Sequence, residues 1–182
     1  MLGALEAVVR ELGRRSVPHA LIGATAMAAL GIVRATDDVD LLVTDRAVLR
    51  EDFWKSVAGE GFSVEVRLGD DEDRLAGVVR VLREPARALD LVVGRHAWQA
   101  EIIERAERHR LGSIEVGLVL PSDLVLLKLF AGARQDLMDA EALLELGDRR
   151  RLEAAVDAQI DRLPADAREA WRGLKASRGS TR

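Results

Sequence analysis

The sequence contains no cysteine and no tyrosine, and it has only three phenylalanines and four prolines. Without cysteine, the chain can form neither a disulfide framework nor a thiolate metal site or nucleophile. With so few aromatic side chains, we expect no stacking platform for single-stranded nucleic acid. A chain that uses no disulfides fits a reducing compartment, and we therefore expect a cytoplasmic protein.

Long hydrophobic runs are also missing. No apolar run approaches the ~20 residues that a membrane helix needs, and MLGALEAVVRELGRR has the spacing of an amphipathic helix rather than of a signal peptide. We expect no membrane partner. The net charge of −4 gives no global basic field for nucleic acid, although residues 149–151 are all arginine and can form a local patch. A nucleic-acid substrate is neither required nor excluded.

The chain does have enough apolar side chain to bury a core, at 48% of 182 residues. Apolar spacing predicts helices over 3–15, 46–58 and 98–108, and a short one in ATAMAAL. It predicts strands in HALIG, VDLLV, FSVEVRL, VVRVLRE, ALDLVVG and SIEVGLVL. After Pro121 the pattern predicts four helices. We expect an α+β fold, with a mixed β-sheet packed by helices in residues 1–120, a C-terminal helical bundle in 121–176 and a polar tail in 177–182.

Acidic side chains stand at the start of the predicted buried strand VDLLV. These are Asp37, Asp38 and Asp40, and a buried carboxylate needs a partner. Side chains two apart on a strand share a face, so Asp38 and Asp40 point the same way. A divalent ion such as magnesium, with positions left for water and phosphate, would suit that pair. The alternative is a structural strand entry, in which Asp37 and Asp38 serve a turn and Asp40 meets an arginine.

A third carboxylate and a glycine turn favour the metal interpretation. Asp90 begins DLVV as Asp40 begins DLLV, so neighbouring strands in register would bring both carboxylates to one level of the sheet. Such a trio can bind two metal ions, and Asp90 can accept the proton of an attacking hydroxyl. Otherwise Asp90 is an edge-strand acid that faces solvent. In LIGATA a helix begins at Gly23, which either offers backbone N–H groups to a phosphate or forms only a tight turn.

The stretch LIGATAMAALGIVRATDDVDLLV as a whole resembles the core of the polymerase-beta-like nucleotidyltransferase superfamily. That core has a Gly-Ser or Gly-Gly turn, a helix and then Asp-x-Asp on the next strand. The stretch is most similar to the small bacterial AbiEii-type nucleotidyltransferases, many of them toxins of toxin-antitoxin or abortive-infection systems. The matching residues are Gly23, Ala24, Gly31, Arg34, Thr36, Asp38 and Asp40. The segment PSDLVLLKLFAGARQDLMDAEALL is similar to the group's downstream helices, so the resemblance covers most of residues 17–146.

One position departs from the superfamily pattern. Ala24 stands where a serine or glycine is usual, so the hydroxyl that helps to hold the nucleotide phosphates is missing there. Thr25 is a possible replacement, and the backbone N–H groups of the turn remain. We expect this departure to affect catalysis more than nucleotide binding. Arg34 either pairs with Asp37 or Asp38 or holds a phosphate with its planar guanidinium.

Lys128 is the only charge in LVLLKLF and one of three lysines in a chain with 24 arginines. It either extends to solvent or presents a compact cation to a triphosphate, and the resemblance implies the second. Asp136 and Asp139 lie one helical turn apart, where we expect them to cap a helix or to pair with Arg134.

The resemblance implies a nucleotidyltransferase fold and a metal-dependent enzyme that moves a nucleoside monophosphate from a nucleoside triphosphate to a hydroxyl acceptor. Its cofactor would be Mg²⁺ or Mn²⁺. The expected site residues are Asp38, Asp40 and Asp90 for metal and catalysis, and Gly23, Ala24, Thr25, Arg34 and Lys128 for the nucleotide. An RNA acceptor, such as a transfer RNA end, and an antitoxin protein partner follow from the resemblance alone. The alternatives are a small-molecule or protein acceptor, and a catalytically weak nucleotide-binding regulator.

Overall fold

The computed structural model describes residues 2–33, 38–83 and 88–176 of the chain. The chain divides into two compact units, Met1–Val119 and Leu120–Arg182. The first unit contains a β-sheet with its helices, and the second is helical. An α+β protein with a helical C-terminal part, as the sequence predicts, is therefore confirmed.

The first unit contains both helices and strands along the chain. Its elements, in the described residues, are α1 (Leu2–Arg14), β1 (His19–Ile22), α2 (Gly23–Ala29), β2 (Val39–Val43), α3 (Lys55–Gly59), β3 (Ser63–Leu68), β4 (Leu75–Leu82), β5 (Leu89–Gly94), α4 (Ala97–Arg105), β6 (Glu107–Leu111) and β7 (Ile114–Leu118).

All seven strands belong to one sheet, in the order β3-β4-β5-β2-β1-β7-β6. The pairs β2–β5 and β1–β7 are parallel and the other neighbouring pairs are antiparallel, so the predicted mixed sheet is confirmed. The strands β2 and β5 lie side by side within the sheet. Their alternate residues Val39, Leu41, Leu89 and Leu91 are buried, and this fixes which face the remaining side chains of both strands occupy.

The predicted helix over 46–58 is wrong over most of its length. The structure has two short 3-10 turns, Arg46–Leu49 and Glu51–Trp54, before α3 begins. The indole Nε1 of Trp54 donates a 2.7 Å hydrogen bond to the carbonyl of Val48. A continuous α-helix would use that carbonyl for a backbone N–H four residues later. The buried tryptophan therefore replaces the helical hydrogen bond.

The sequence pattern does not reveal β6. The helix predicted over 98–108 extends into its residues, ERHRL, whereas α4 ends at Arg105. The strand lies at the edge of the sheet and pairs with β7 only, and most of its side chains are exposed. An edge strand of this kind depends on backbone hydrogen bonds rather than on burial, so it leaves no apolar alternation in the sequence.

The described residues of the second unit contain the four helices that the sequence predicts after Pro121. They are α5 (Pro121–Ala131), α6 (Arg134–Leu144), α7 (Arg149–Asp157) and α8 (Ala165–Ala176). The first of these, α5, has Leu124, Val125, Leu126 and Leu129 buried. It contacts the other three helices, so it is the central helix of this unit.

Two further features of the described residues complete the fold. The three tryptophans, Trp54, Trp98 and Trp171, are 1%, 6% and 1% exposed, so all three are packing residues. No helix in the described part of the chain combines the length and the apolar character that crossing a membrane requires.

Candidate active site

Two aspartates stand opposite each other on the parallel strands β2 and β5. Asp40 pairs in register with Asp90, and both are half-buried. Residues that pair across neighbouring strands point to the same face, so the two carboxylates occupy one level of one face. This confirms the register that the sequence predicts from DLLV and DLVV. It excludes the edge-strand alternative for Asp90, because β5 lies between β4 and β2 and the side chain is 16% exposed.

Asp38 is the residue directly before β2 and is half-buried. The hydroxyl of Thr25, on α2, donates a 3.2 Å hydrogen bond to the Asp38 carbonyl. This bond ties the start of α2 to the start of β2. The remaining members of the predicted motif, Arg34 and residues 36–37, lie outside the described residues.

Arg80, on β4, is a site residue that sequence reasoning missed. Its Nε and Nη2 donate to the two carboxylate oxygens of Asp90 at 2.8 and 2.7 Å. The hydrogen bonds and the charge of Asp90 raise the pKa of Arg80 well above its usual range, and the charges of Asp38 and Glu65 contribute to the same shift. The signal in the sequence is a single arginine in the apolar strand VVRVL, but its partner follows only from the antiparallel pairing of β4 with β5.

The pairing partners form one continuous row across five strands. From β3 to β1 the row contains Glu65, Arg80, Asp90, Asp40 and Ile22. The signs of the charges alternate from Glu65 to Asp90, and the alternation stops where Asp90 meets Asp40. The junction of two carboxylates is therefore the position in the row that a further cation would complete.

A glycine turn lies directly against that junction. Gly23 follows Ile22, which pairs with Asp40, and its φ of +64° falls in the left-handed region that favours glycine. A Cβ at this position would overlap the carboxylate of Asp40. The N-cap of α2, Ile22, makes no side-chain capping bond. Gly23, Ala24 and Thr25 therefore bring the first backbone N–H groups of α2 beside Asp40.

On the opposite side of Asp90 lies an open groove of about 500 Å³. Asp90 and Arg80 form part of its wall, and the strands β3 and β4 and the loop between them supply the rest. Arg67, Arg74 and Asp73 also line it. The wall of the groove therefore contains charged side chains of both signs, and the groove opens beside one of the two facing carboxylates.

The residues fit a divalent cation in part. Carboxylate oxygens are the ligands that magnesium and manganese prefer, and Asp38 and Asp40 supply them. At Asp90, a guanidinium already bonds to both oxygens. Across the described residues, no three Asp, Glu, His or Cys side chains are grouped so that they could hold a metal ion. A cation shared by Asp40 and Asp90 therefore requires some rearrangement around Asp90.

Lys128 belongs to the second unit, on α5, and bonds to two aspartates of α6. Its Nζ lies 2.8 Å from Asp136 Oδ1 and 2.9 Å from Asp139 Oδ2. Burial lowers the pKa of Lys128, but the hydrogen bonds to Asp136 and Asp139 outweigh it and the pKa lies above its usual value. Asp136 also accepts a hydrogen bond from the N–H of Ala133 at the start of α6, so the predicted capping role is confirmed for Asp136. Asp139 is instead buried and bonds to Lys128 and Gln135.

Comparisons with solved structures show proteins that share the fold. The solution structure of the antibiotic-resistance factor ANT(2'')-Ia superposes with a TM-score of 0.57 at 13% identity, over 97% of this chain and 96% of that one. A crystal structure of ANT(2'')-Ia with adenylyl-2''-tobramycin gives a TM-score of 0.55 at 16% identity, over 87% and 95%. The lincomycin-bound lincosamide antibiotic adenylyltransferase LnuA gives a TM-score of 0.52 at 11% identity, over 81% and 98%.

These structures share the fold, which confirms the predicted nucleotidyltransferase fold. No curated protein matches the chain in sequence. The sequence profile of a family described as "Nucleotidyl transferase of unknown function (DUF2204)" matches residues 1–168. The polymerase-beta-like superfamily that the motif indicates is thereby confirmed, and the chain belongs to this family of nucleotidyltransferase enzymes.

Proposed function

We propose that the protein is a metal-dependent nucleotidyltransferase that moves a nucleoside monophosphate from a nucleoside triphosphate to a hydroxyl acceptor. The observation that supports this most is the facing pair Asp40 and Asp90, with the Gly23 turn packed against Asp40. Asp38 and Asp40 would hold the first Mg²⁺ or Mn²⁺, and Asp90 would complete a second position. The bound cation would neutralise phosphate charge and orient the triphosphate.

The side chains of the chain itself have separate tasks in the transfer. Asp90 takes the proton of the acceptor hydroxyl, whose oxygen forms the new bond to the α-phosphorus. The bond from that phosphorus to the bridging oxygen breaks, and pyrophosphate leaves with the electron pair. The backbone N–H groups at Gly23 and Ala24 hold phosphate oxygens. The Thr25 hydroxyl donates its proton to the Asp38 carbonyl, so in this conformation it cannot also donate to a phosphate oxygen.

The strand order supports opposite directions of approach for the two substrates. The Gly23 turn follows β1, on one side of Asp40, whereas the groove lies beyond Asp90, toward β4 and β3. A nucleotide on the turn and an acceptor in the groove would meet at the two facing carboxylates. In this arrangement the acceptor hydroxyl reaches Asp90 from the groove side.

Arg34 and Lys128 are proposed as cations for the triphosphate on the strength of the motif alone. Lys128 already neutralises Asp136 and Asp139, so a phosphate would have to share it with those carboxylates. If Lys128 binds the triphosphate, its replacement should weaken nucleoside triphosphate much more than nucleoside monophosphate. An equal loss for both ligands would assign Lys128 to packing.

The resemblance to AbiEii-type enzymes favours an RNA acceptor, such as a transfer RNA end, and an antitoxin protein as partner. A small-molecule acceptor is a second candidate, because a groove of about 500 Å³ beside Asp90 has the size of a small-molecule site. ANT(2'')-Ia bound to adenylyl-2''-tobramycin and LnuA bound to lincomycin provide the structural analogy. A protein acceptor is a further alternative. Because Ala24 lacks the hydroxyl that is usual at this position, a regulator that binds nucleotide without efficient transfer is also a candidate.

The test measures transfer and binding in the same samples. Each labelled nucleoside triphosphate is incubated with Mg²⁺ or Mn²⁺ and with cellular RNA, a set of hydroxylated small molecules or the protein encoded beside this one. The Asp90→Asn variant should bind nucleotide within a few-fold of wild type and lose roughly a hundredfold or more in transfer. The Asp40→Asn variant should lose both metal binding and transfer.

The matched control is Asp45→Asn, because Asp45 is an exposed aspartate that caps a 3-10 turn and asparagine can cap it as well. This variant should retain wild-type transfer. Transfer that Asp90→Asn leaves unchanged would contradict the assignment of the base. Nucleotide that binds and is never transferred, with any acceptor, would favour the regulator and make Ala24→Ser the next variant.

A further inference from the structure

The ion pair between Arg80 and Asp90 joins one exposed and one largely buried side chain. Arg80 is 43% exposed and Asp90 is 16% exposed. Arg80 lines the groove, which gives its side chain space to move away from the strand. The carboxylate is fixed by its place in the sheet, between β2 and β4. The guanidinium is therefore the mobile partner of the pair.

Each oxygen of Asp90 accepts one hydrogen bond from this guanidinium, at 2.8 and 2.7 Å, so one lone pair of each oxygen is taken. A cation bound between Asp90 and Asp40 would need at least one of those oxygens. A proton taken from an acceptor hydroxyl would need one as well. Arg80 therefore competes with both tasks that the proposed function gives to Asp90, because it takes one lone pair of each oxygen and places a positive charge beside them.

Electrostatics gives this competition a direction. A divalent cation a few ångströms from a guanidinium is repelled by it, and in a half-exposed site the repulsion amounts to about a tenfold loss in affinity. Arg80 hydrogen-bonds to Asp90, and the charge of Asp38 also acts on it. The repulsion should therefore be strongest for a cation at Asp90.

We propose that Arg80 is a positioning residue that competes with the second divalent cation for Asp90. In this scheme Asp38 and Asp40 bind a cation first, and Asp90 binds the second cation at full affinity only when Arg80 turns into the groove. The inference rests on the proposed function, because it takes the metal role of the three aspartates as given. It adds that, in the protein without bound metal, the ion pair with Arg80 lowers the affinity of Asp90 for a cation.

The experiment titrates Mn²⁺ into the full chain, by calorimetry and by electron paramagnetic resonance. Of the two bound Mn²⁺ ions, the one that binds more weakly should bind the Arg80→Met variant about tenfold more tightly than it binds wild type. Arg80→Lys keeps the positive charge but cannot form the bidentate hydrogen bonds, so its Mn²⁺ affinity should lie between those of wild type and Arg80→Met. The double variant Arg80→Met/Asp90→Asn should lose the gain, because the gain depends on the Asp90 carboxylate.

Arg67→Met is the matched control, since Arg67 lines the same groove and pairs with Glu65 rather than with an aspartate of the site. It should leave Mn²⁺ affinity within about twofold of wild type, given the distance and its 75% exposure. Unchanged or weaker Mn²⁺ binding in Arg80→Met would overturn the inference, and so would a gain that persists without Asp90. A melting curve of each variant establishes that it is folded, and Arg80→Lys replaces Arg80→Met if the latter does not fold.

Failure of the inference and failure of the proposed function differ in their results. If wild type binds Mn²⁺ through Asp40 and Arg80→Met gives no gain, only the inference fails. If neither wild type nor Arg80→Met binds Mn²⁺, both fail. If only Arg80→Met binds Mn²⁺ through Asp90, the competition is established in its strongest form.

Discussion

Gly23 is the residue at which backbone conformation and site chemistry meet. Its left-handed φ of +64° allows β1 to turn directly into α2, and the missing side chain leaves space for the Asp40 carboxylate. Any other residue would face both a strained backbone and a steric overlap. The carboxylate therefore depends on this glycine for its position.

We predict that Gly23→Ala displaces Asp40 and weakens divalent-ion binding by tenfold or more. The matched control is Gly31→Ala, because Gly31 also has a positive φ, +97°, but its added Cβ would meet no atom within 4 Å. Each alanine should cost about 1–2 kcal/mol of stability from backbone strain. Only Gly23→Ala should change Mn²⁺ affinity, measured by titration. Equal affinities in the two variants would show that Asp40 does not depend on the turn.

At the scale of elements, the strand β5 and the helix pair α5–α6 organise the charged side chains. The strand places Asp90 between Arg80 on one neighbour and Asp40 on the other. The helices place Lys128 against Asp136 and Asp139. Lys128 is 14% exposed and Asp139 is 4% exposed, so this second cluster is largely removed from water. Removing one partner of such a cluster leaves a buried charge without compensation.

We predict that Lys128→Met destabilises the protein by about 3 kcal/mol, since it leaves the Asp139 carboxylate buried beside Asp136. The matched control is Lys175→Met, which breaks an ion pair with Asp157 whose side chains are 35% and 47% exposed. That change should cost less than about 1 kcal/mol. Urea denaturation of both variants gives the two values. Similar losses would mean that the buried cluster contributes no more than a surface pair.

For the whole molecule, each unit contains a carboxylate whose ionised form is favoured by folding. In the first unit burial raises the pKa of Glu11, but hydrogen bonds from Ser56, Arg15 and Arg14 outweigh burial and the pKa lies below its usual 4.5. In the second unit the hydrogen bond from Lys175 lowers the pKa of Asp157 below its usual 3.8. The two units therefore respond to acid in the same direction.

We predict that stability is lost on acidification. A carboxylate whose pKa is lowered by folding stabilises the protein above its unfolded pKa, and the contribution disappears as pH falls through the folded value. The stabilisation from Glu11 and Asp157 should therefore be constant near neutral pH. It should decline below about pH 4.5, which is the usual pKa of Glu11. Melting temperatures between pH 7 and pH 3 should fall less steeply in Glu11→Gln/Asp157→Asn than in wild type.

At neutral pH, Glu11→Gln alone should lower stability by about 2 kcal/mol, the usual value for lost charge-assisted hydrogen bonds. Glu169→Gln, which changes an exposed carboxylate on α8, is the matched control and should follow the wild-type pH profile. A double variant that is as acid-sensitive as wild type would contradict the role of Glu11 and Asp157.

The sequence by itself determined the elements with strong apolar periodicity and the motif that they carry. The alternation in VDLLV and LDLVV fixes which side chains face the core, so the level and face of Asp40 and Asp90 follow once the strands are neighbours. The four C-terminal helices follow for the same reason. Apolar residues that become buried recur along the chain with the period of the helix or strand that contains them, so the sequence shows the element directly.

Only the tertiary structure decided which partners the charged side chains have. Arg80 reaches Asp90 because the antiparallel pairing of β4 and β5 sets their register, and Lys128 reaches Asp136 and Asp139 because α5 packs on α6. Polar side chains carry no periodic signal of their partners. An ion pair is set by distances of about 3 Å between residues of different elements, and those distances exist only after the apolar faces have packed.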